Sequence, residues 1–478
     1  MRHMKNLKNK ICFTIMGLVT MMSCDDYLDV NTNPNKPTEV PIQLLMSQTS
    51  FRTGDNIQLA GNITSYYVQH LASPNAFGSK DIHDPQPYDF TWQELYRMMS
   101  DITDMEELAQ KQGLSQYLGA AKVLKAVNLG LLLDLWGDAP YSQAFFAEYL
   151  QPEYDDDEVL YDEIINLLDE GIAEFNKQVE EVQFGEDDFI YQGDIDGWIK
   201  MAWSLKARYL QHMSNTPKYD ASEVLAAVDQ GIGSNAKNAD ISYYTAGPEV
   251  YNPWSGVARN QEVLILDGWI SEQLADAMNG TTFGVVDPRM PYLFGATDGG
   301  EFIGVENGAG RGSNVDVSGD RSTLERNTYY ASDDAPVLII TLAELKFIEA
   351  EAALANSDPA RAYEAYLDGI AAHMEMVGVP GPEAQGYMDD PAVGVGQVNL
   401  TLDLIMKEKF VAMFLHPEAW ADARRFDYQY QDMTLPANHN PALSGQFVRR
   451  LVYPDSELSR NVENVPSVSA VDRVWWDQ

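Results

Sequence analysis

The stretch Thr341-Leu342-Ala343-Glu344 constrains this chain more than any other, because it starts a helix by two rules at once. The Thr341 hydroxyl can cap a backbone N–H three residues on, while Glu344 reaches back to close a capping box. Leu345, Ile348, Ala352 and Ala355 then recur along one face. The spacing stops near Asn356. Asp358-Pro359 opens a second helix with proline at its first position, where a missing N–H does no harm. Tyr363, Leu367, Ile370, Met374 and Val377 carry the 3.6-residue period on to Gly378.

Two antiparallel helices in about 37 residues match a tetratricopeptide-type hairpin, whose period is about 34, although the repeat consensus is not visible and a generic helical hairpin fits as well. Other stripes have the same period. Tyr117, Ala121, Leu124, Leu131 and Leu135 run to Gly137, and Leu160, Ile164, Leu168, Ile172 and Phe175 form a second. Ala202, Leu205, Tyr209 and His212 lie along Trp198–Met213, and Leu402, Met406, Lys409 and Met413 run towards His416-Pro417. The fold expected is mainly α: a helical-hairpin, tetratricopeptide-like scaffold with few short strands. Residues 233–335 are dense in Gly, Pro, Asn, Asp and Ser and read as a large loop-rich insertion with short strands and short helices. Residues 378–398 read as a second loop.

The N-terminus sets the compartment. Arg2, Lys5, Lys8 and Lys10 precede the 12-residue apolar run Ile11–Met22, too short to span a bilayer. Met22-Ser23-Cys24 follows, so residues 1–23 read as a lipoprotein signal and Cys24 as the lipidated residue. Cleavage there leaves 455 residues and takes the formal charge from −40 to −44. The other cysteine, Cys12, leaves with the signal, so no thiol remains to form a disulfide. Residues 24–40, rich in Asn and Pro, read as a lipidated tether, and residues 41–478 as a single domain. Acyl chains anchor stably when two or more are present.

The acidic balance argues against nucleic acid, whose phosphates need Lys and Arg, and against a basic face for anionic lipid. No HExxH, i,i+4 His pair, GxSxG, SxxK, Walker A loop or cysteine nucleophile occurs in the mature chain. Neither a metal nor a cofactor is expected, apart from a structural Ca²⁺ that Glu153–Glu158 (EYDDDE) could ligate. Gly308–Gly312 and Gly394–Gly396 lack a strand-turn-helix frame and read as flexible loops.

Aromatics are the remaining signal: 9 Trp, 25 Tyr and 17 Phe. Flat rings stack on the apolar faces of sugars while Asn, Asp and Arg bond the hydroxyl edges. Tyr66, Tyr67, Phe77, Tyr88 and Trp92 fall in or beside loop-like sequence, as do Tyr251, Asn252, Trp254, Trp269 and Phe283. Of these, Tyr66, Phe77, Tyr88, Trp92, Tyr251, Asn252, Trp254, Trp269 and Phe283 are the candidate ligand-binding residues. Trp136, Trp198, Trp203 and Trp420 sit on helical stripes and read as structural.

Several blocks, in this order, resemble the SusD/RagB family of outer-membrane nutrient-binding lipoproteins. They are Cys24-Asp25-Asp26-Tyr27-Leu28-Asp29, Leu135-Trp136-Gly137-Asp138-Ala139-Pro140-Tyr141, and Tyr191-Gln192-Gly193-Asp194 with Trp198 and Arg208. Asp287-Pro288-Arg289, the helix Leu342–Ala352, Glu418-Ala419-Trp420 with Arg424-Arg425, and Arg449-Arg450-Leu451-Val452-Tyr453-Pro454 complete the set. The blocks read as structural, with Arg424 and Arg425 paired to scaffold carboxylates. The resemblance implies a non-catalytic, surface-exposed lipoprotein of the outer membrane. It would bind an oligosaccharide and deliver it to a SusC-like TonB-dependent barrel. A peptide-binding member of the family and a surface glycoside hydrolase are the alternatives. No family ligand motif carries over, so the candidate residues rest on the aromatic reading alone.

Overall fold

The computed structural model describes residues 40–478 apart from 147, 244–250, 265–266 and 312–317. The signal segment, Cys24 and the tether up to residue 39 lie outside the described residues. The chain divides into two units, 1–41 and 42–478, and every element below belongs to the second.

The first six helices are α1 (Ile42–Tyr67), α2 (Asp89–Gln112), α3 (Ser115–Trp136), α4 (Asp157–Phe175), α5 (Ile195–His212) and α6 (Ala221–Val228). Each packs on its successor. The insertion then supplies α7 (Pro253–Leu264), α8 (Glu272–Met278) and α9 (Met290–Leu293). Four short strands accompany them: β1 (Leu71–Ala72), β2 (Ala239–Ile241), β3 (Trp269–Ile270) and β4 (Val337–Ile340). They form two antiparallel pairs, β1 with β3 and β2 with β4. Helices α10 (Leu342–Ala355) and α11 (Pro359–Val377) form the tightest hairpin, and α10 also packs on α6, so the ladder resumes after the insertion. Next come α12 (Gly381–Met388), α13 (Leu402–Ala412), α14 (Glu418–Arg425) and α15 (Asp455–Arg460). This is the mainly α, hairpin-stacked architecture expected.

The hairpin follows its sequence rules closely. Thr341 Oγ accepts the Glu344 N–H at 3.2 Å, and Asp358 accepts that of Arg361 at 3.1 Å. Gly378 ends α11 with φ at 93°, a conformation that glycine adopts without strain. Two segments differ from the sequence reading. The 378–398 loop contains α12, pinned by the buried Tyr387, whose hydroxyl donates to Glu408 at 2.8 Å. Helix α1 shows no clean stripe because it is buried on most sides. Its Thr49, Ser50 and Thr53 hydroxyls turn back onto carbonyls four residues earlier at 2.7, 2.7 and 2.8 Å. Asn56 spends its amide on Asn128 of α3 at 2.8 Å.

Buried charges tie the layers together. Arg208 of α5 donates to both Glu344 oxygens at 2.6 and 2.7 Å. Arg289 bonds Asp287 and Glu408 with all three groups fully enclosed. Arg425 holds Glu351 at 3.0 Å and Asp422 at 2.5 Å, as a scaffold pair should. Arg424 departs from that expectation. Its guanidinium lies 3.7 Å from the Trp420 ring centroid and donates to the carbonyls of Asp134 at 2.7 Å and Arg449 at 2.9 Å. The family-like blocks thus meet one another inside the scaffold.

Candidate functional site

Two adjoining clefts open where the insertion meets the C-terminal helices. The first, with about 260 Å³ of space, is walled by Glu272, Gln273 and Asp276 of α8, Thr281 and Thr282 of the following turn, Glu306 and Asn307, and the 432–436 segment. Gln69 lines it too. The second, about 270 Å³, is walled by Gln273, Ala277 and Phe283, by Asp403, Leu404, Lys407 and Phe410 of or beside α13, and by Phe426 and Gln429–Gln431. Gln273 lines both. Its amide donates to the Gln431 carbonyl at 3.0 Å, and Gln431 donates back to the Thr282 carbonyl at 3.3 Å. Together they make a trough, carboxylate- and amide-lined at one end and aromatic at the other, within the size range of small-ligand sites.

The trough is rigidly framed. Ser271 caps α8, accepting the Gln273 N–H at 3.2 Å, and its hydroxyl donates to Asn307 Oδ1 at 2.6 Å. Asn307 donates in turn to the Leu71 carbonyl at 2.8 Å and to Asp81 at 2.7 Å. Asp81 also accepts the Gly308 N–H at 2.6 Å. Burial nonetheless pushes the Asp81 carboxyl up to about 6, against those bonds. Gly308 has φ at 76°, and a side chain there would collide with the Ala437 carbonyl. The described part of the Gly308–Gly312 run is therefore closely packed, not the flexible loop its composition suggests. Gln69 and Asp432, both lining the trough, hold left-handed backbone with φ of 60° and 63°. Such strain in non-glycine residues collects at binding sites, where surrounding structure sustains it.

Glu272, Asp276 and Glu306 stand along one wall. Glu272 sits above its ordinary pKa through partial burial first, then through Asp276 and Glu306. These groups accept hydrogen bonds from hydroxyls well. At the other end Lys407 lies 5.2 Å over the Phe283 ring and is paired with Glu408 at 2.5 Å, so its charge is already neutralised.

Of the nine candidate residues, the structure brings Phe283 into this trough. Trp269, in β3, is fully buried against Ala72 and Val305, with its indole N–H donated to Gln261 at 2.8 Å. Tyr66 is in the last turn of α1 and Trp92 in the first turns of α2, not in loops, and both are enclosed. Trp92 packs edge-on against Trp136 at 5.2 Å. Tyr67 is likewise enclosed and shares a 3.2 Å hydroxyl contact with the half-buried Tyr88, whose burial pushes its pKa up to about 12. Asn252 is buried and spends its amide on the Ala335 carbonyl at 2.8 Å, and Trp254, in α7, is buried beside Ile57 and Leu415. Tyr251 lies under the Arg259 guanidinium at 4.8 Å. Phe77 stands 73 % exposed, on a turn that packs against Gly310 and Arg311. Sequence reasoning missed Gln69, Gln273, Phe410, Phe426 and Tyr430. Phe283, within the loop-rich insertion, was the one signal that pointed to this place.

Glu153–Glu158 sits at the start of α4. Asp155 accepts the N–H groups of Tyr141 and Ser142 at 2.9 and 2.8 Å, Asp156 caps the helix at 3.0 Å, and Asp157 accepts the Trp475 N–H at 2.9 Å. Among the described residues, Asp134, His212 and Glu418 are grouped closely enough to share a metal ion. The two carboxylates face opposite nitrogens of the His212 ring, however, which suits a bridging imidazolium better than one ion. Burial opposes the charge, but Glu418 and Asp134 push His212 up to about 9. No described helix is long and apolar enough to cross a membrane.

A helical-repeat scaffold that carries a loop-built, open trough defines a binding protein. The profile of the SusD-like family, described as starch-binding and associating with the outer membrane, matches residues 34–454, and the chain belongs to that family. Similar solved structures include a SusD homologue from Bacteroides uniformis, 21% identical over 92% of this chain and 100% of that one, with a TM-score of 0.76. A chitin-binding SusD homologue from Flavobacterium johnsoniae is 22% identical over 91% of this chain and 98% of its own, also with a TM-score of 0.76. A SusD/RagB family protein from Bacteroides thetaiotaomicron is 22% identical over 92% and 99%, with a TM-score of 0.72. No curated protein matches the chain.

Proposed function

We propose that this protein is a cell-surface lipoprotein, anchored through Cys24, that binds a neutral oligosaccharide in the Gln273 trough without cleaving it. It then passes the ligand to a SusC-like TonB-dependent barrel. The observation that carries the binding reading is the trough itself: carboxylate and amide acceptors at one end and aromatic faces at the other, joined at Gln273. That pairing matches the two kinds of surface on a sugar ring. The family's starch-binding description and its chitin-binding relative support a glycan over other nutrients. The carboxylates serve as hydroxyl acceptors in this reading, and neither hydrolysis nor a cofactor is required of them.

Calorimetry with a panel of starch-derived, chitin-derived and other oligosaccharides tests it. Phe283→Ala and Gln273→Ala should each lower affinity about tenfold, equivalent to about 1.4 kcal/mol, with unchanged unfolding. Full affinity in both variants would remove the site from this trough. Turnover of the bound glycan would replace binding with hydrolysis.

A further inference from the structure

Fifteen large apolar side chains stand exposed among the described residues, and six of them come from three short segments. They are Phe90 at the start of α2, Phe146, Tyr149 and Leu150 in the loop 141–154, and Leu458 and Val462 in and just after α15. Leu150 is 89 % exposed, Phe90 63 % and Val462 60 %. The segments are far apart in sequence but joined in space. Asp89, beside Phe90, accepts the N–H groups of Asp455 and Ser456 at 3.3 and 2.9 Å. Gln151, beside Leu150, donates to the Arg460 carbonyl at 2.9 Å and accepts from Asn464 at 3.0 Å. Asn461 donates to the Pro152 carbonyl at 2.9 Å, and Tyr154 to Glu457 at 3.0 Å.

These bonds hold residues 151–154, at the foot of the loop, against α15 and the residues after it. Apolar side chains gathered on one surface mark an interaction site more strongly than the same residues scattered singly. The surrounding charge narrows the partner. Residues 89–97, 141–159 and 453–464 hold eleven carboxylates, of which Asp157 is buried, and two arginines, Arg97 and Arg460; Arg52 pairs with Glu94 and Lys218 with Glu158, and the balance stays acidic. An anionic lipid surface would be repelled. A second copy would set the same acidic rim against itself, because a twofold contact repeats one patch on both sides. No residue of the trough belongs to these segments.

We propose that the face built from Phe90, Leu150, Leu458 and Val462 docks a different protein, whose matching surface is apolar at its centre and rimmed with Lys and Arg. The proposed function enters only in the choice of partner for the test, the SusC-like barrel. The full-length lipidated protein is tagged and purified from outer membranes together with that barrel. Leu150→Glu combined with Val462→Glu should lower the barrel recovered at least tenfold, with unchanged circular dichroism and glycan affinity. Glu148→Lys combined with Glu153→Lys, which leaves the apolar centre alone, should weaken the complex too. The wild-type complex should loosen as salt rises from about 0.1 to about 0.5 M. A wild-type complex that both variants leave intact overturns the assignment of this face and spares the barrel reading. A wild-type protein that retains no barrel overturns the barrel reading and this assignment together, while the glycan calorimetry stands apart from both.

Discussion

The α10–α11 hairpin and the loops around Asn307 hold their polar groups in opposite ways. In the hairpin the capping partners are three residues apart, Thr341 with Glu344 and Asp358 with Arg361. Around Asn307 they are remote. Its amide reaches Leu71 and Asp81 across 236 and 226 positions, and Gln69 reaches the Thr434 carbonyl across 365. A helix satisfies its backbone within itself and needs neighbours only for its apolar face. A binding loop has no internal ladder, so side chains from distant segments supply the partners. The scaffold is therefore specified locally and the site globally.

Three experiments can break or sharpen that contrast. The largest effect belongs to the scaffold. Arg289→Met leaves Asp287 buried without its cation and Glu408 with Lys407 alone, and urea unfolding should show a loss of about 3–5 kcal/mol. A loss under about 1 kcal/mol would show that the buried ion pairs do not lock the layers.

The next effect is a pH dependence, also in the scaffold. His212 is raised from 6.5 to about 9, so its contribution is full below pH 6.5 and is lost as pH rises through 9. The wild type should lose about 3 kcal/mol across that window relative to His212→Gln. Parallel pH profiles for the two proteins would refute the bridging imidazolium.

The smallest effect belongs to the site. Asp81→Asn keeps one acceptor and should cost about 1–2 kcal/mol. Hydrogen exchange should quicken around residues 305–311 and not in α10–α11. The Asp81 carboxyl is raised from 3.8 to about 6, so its protonated form stabilises the fold below pH 3.8. That support fades as pH rises through 6, and only the wild type should show the dependence. Faster exchange in both regions at once would erase the distinction between local and global specification.

The same contrast explains what could be read from sequence. The hairpin was legible to the residue, since cap, period and glycine stop act over short range. Helix α1 was not, because Thr, Ser and Asn fill its buried faces and hide the period. Trp92 and Trp254 carry the aromatic signature of a sugar site, but each lies in the first turn of a helix with its own ring packed inward. The trough draws on residues between 69 and 436, and no spacing rule connects Gln69, Gln273 and Gln431. Phe283 was visible as an aromatic in polar sequence. Its neighbours Phe410, inside α13, and Phe426, just past the end of α14, are both buried and read in sequence as core.

The buried contacts of the C-terminal segment bear on the order of assembly. Helices α1 to α6 can stack as they emerge, each on its predecessor. The far end of α3 waits longer: the Trp136 carbonyl is met by Arg450, 314 residues later, and its indole by the Val452 carbonyl. Asp157, at the start of α4, waits 318 residues for the Trp475 N–H. The last stretch of chain thus works as a latch, closing a ladder whose first rungs formed long before. A protein interrupted before residue 475 would carry a nearly complete set of helices with that latch undone. Proteases would then cut the exposed ends of α3 and α4 faster than in a chain that carries those contacts.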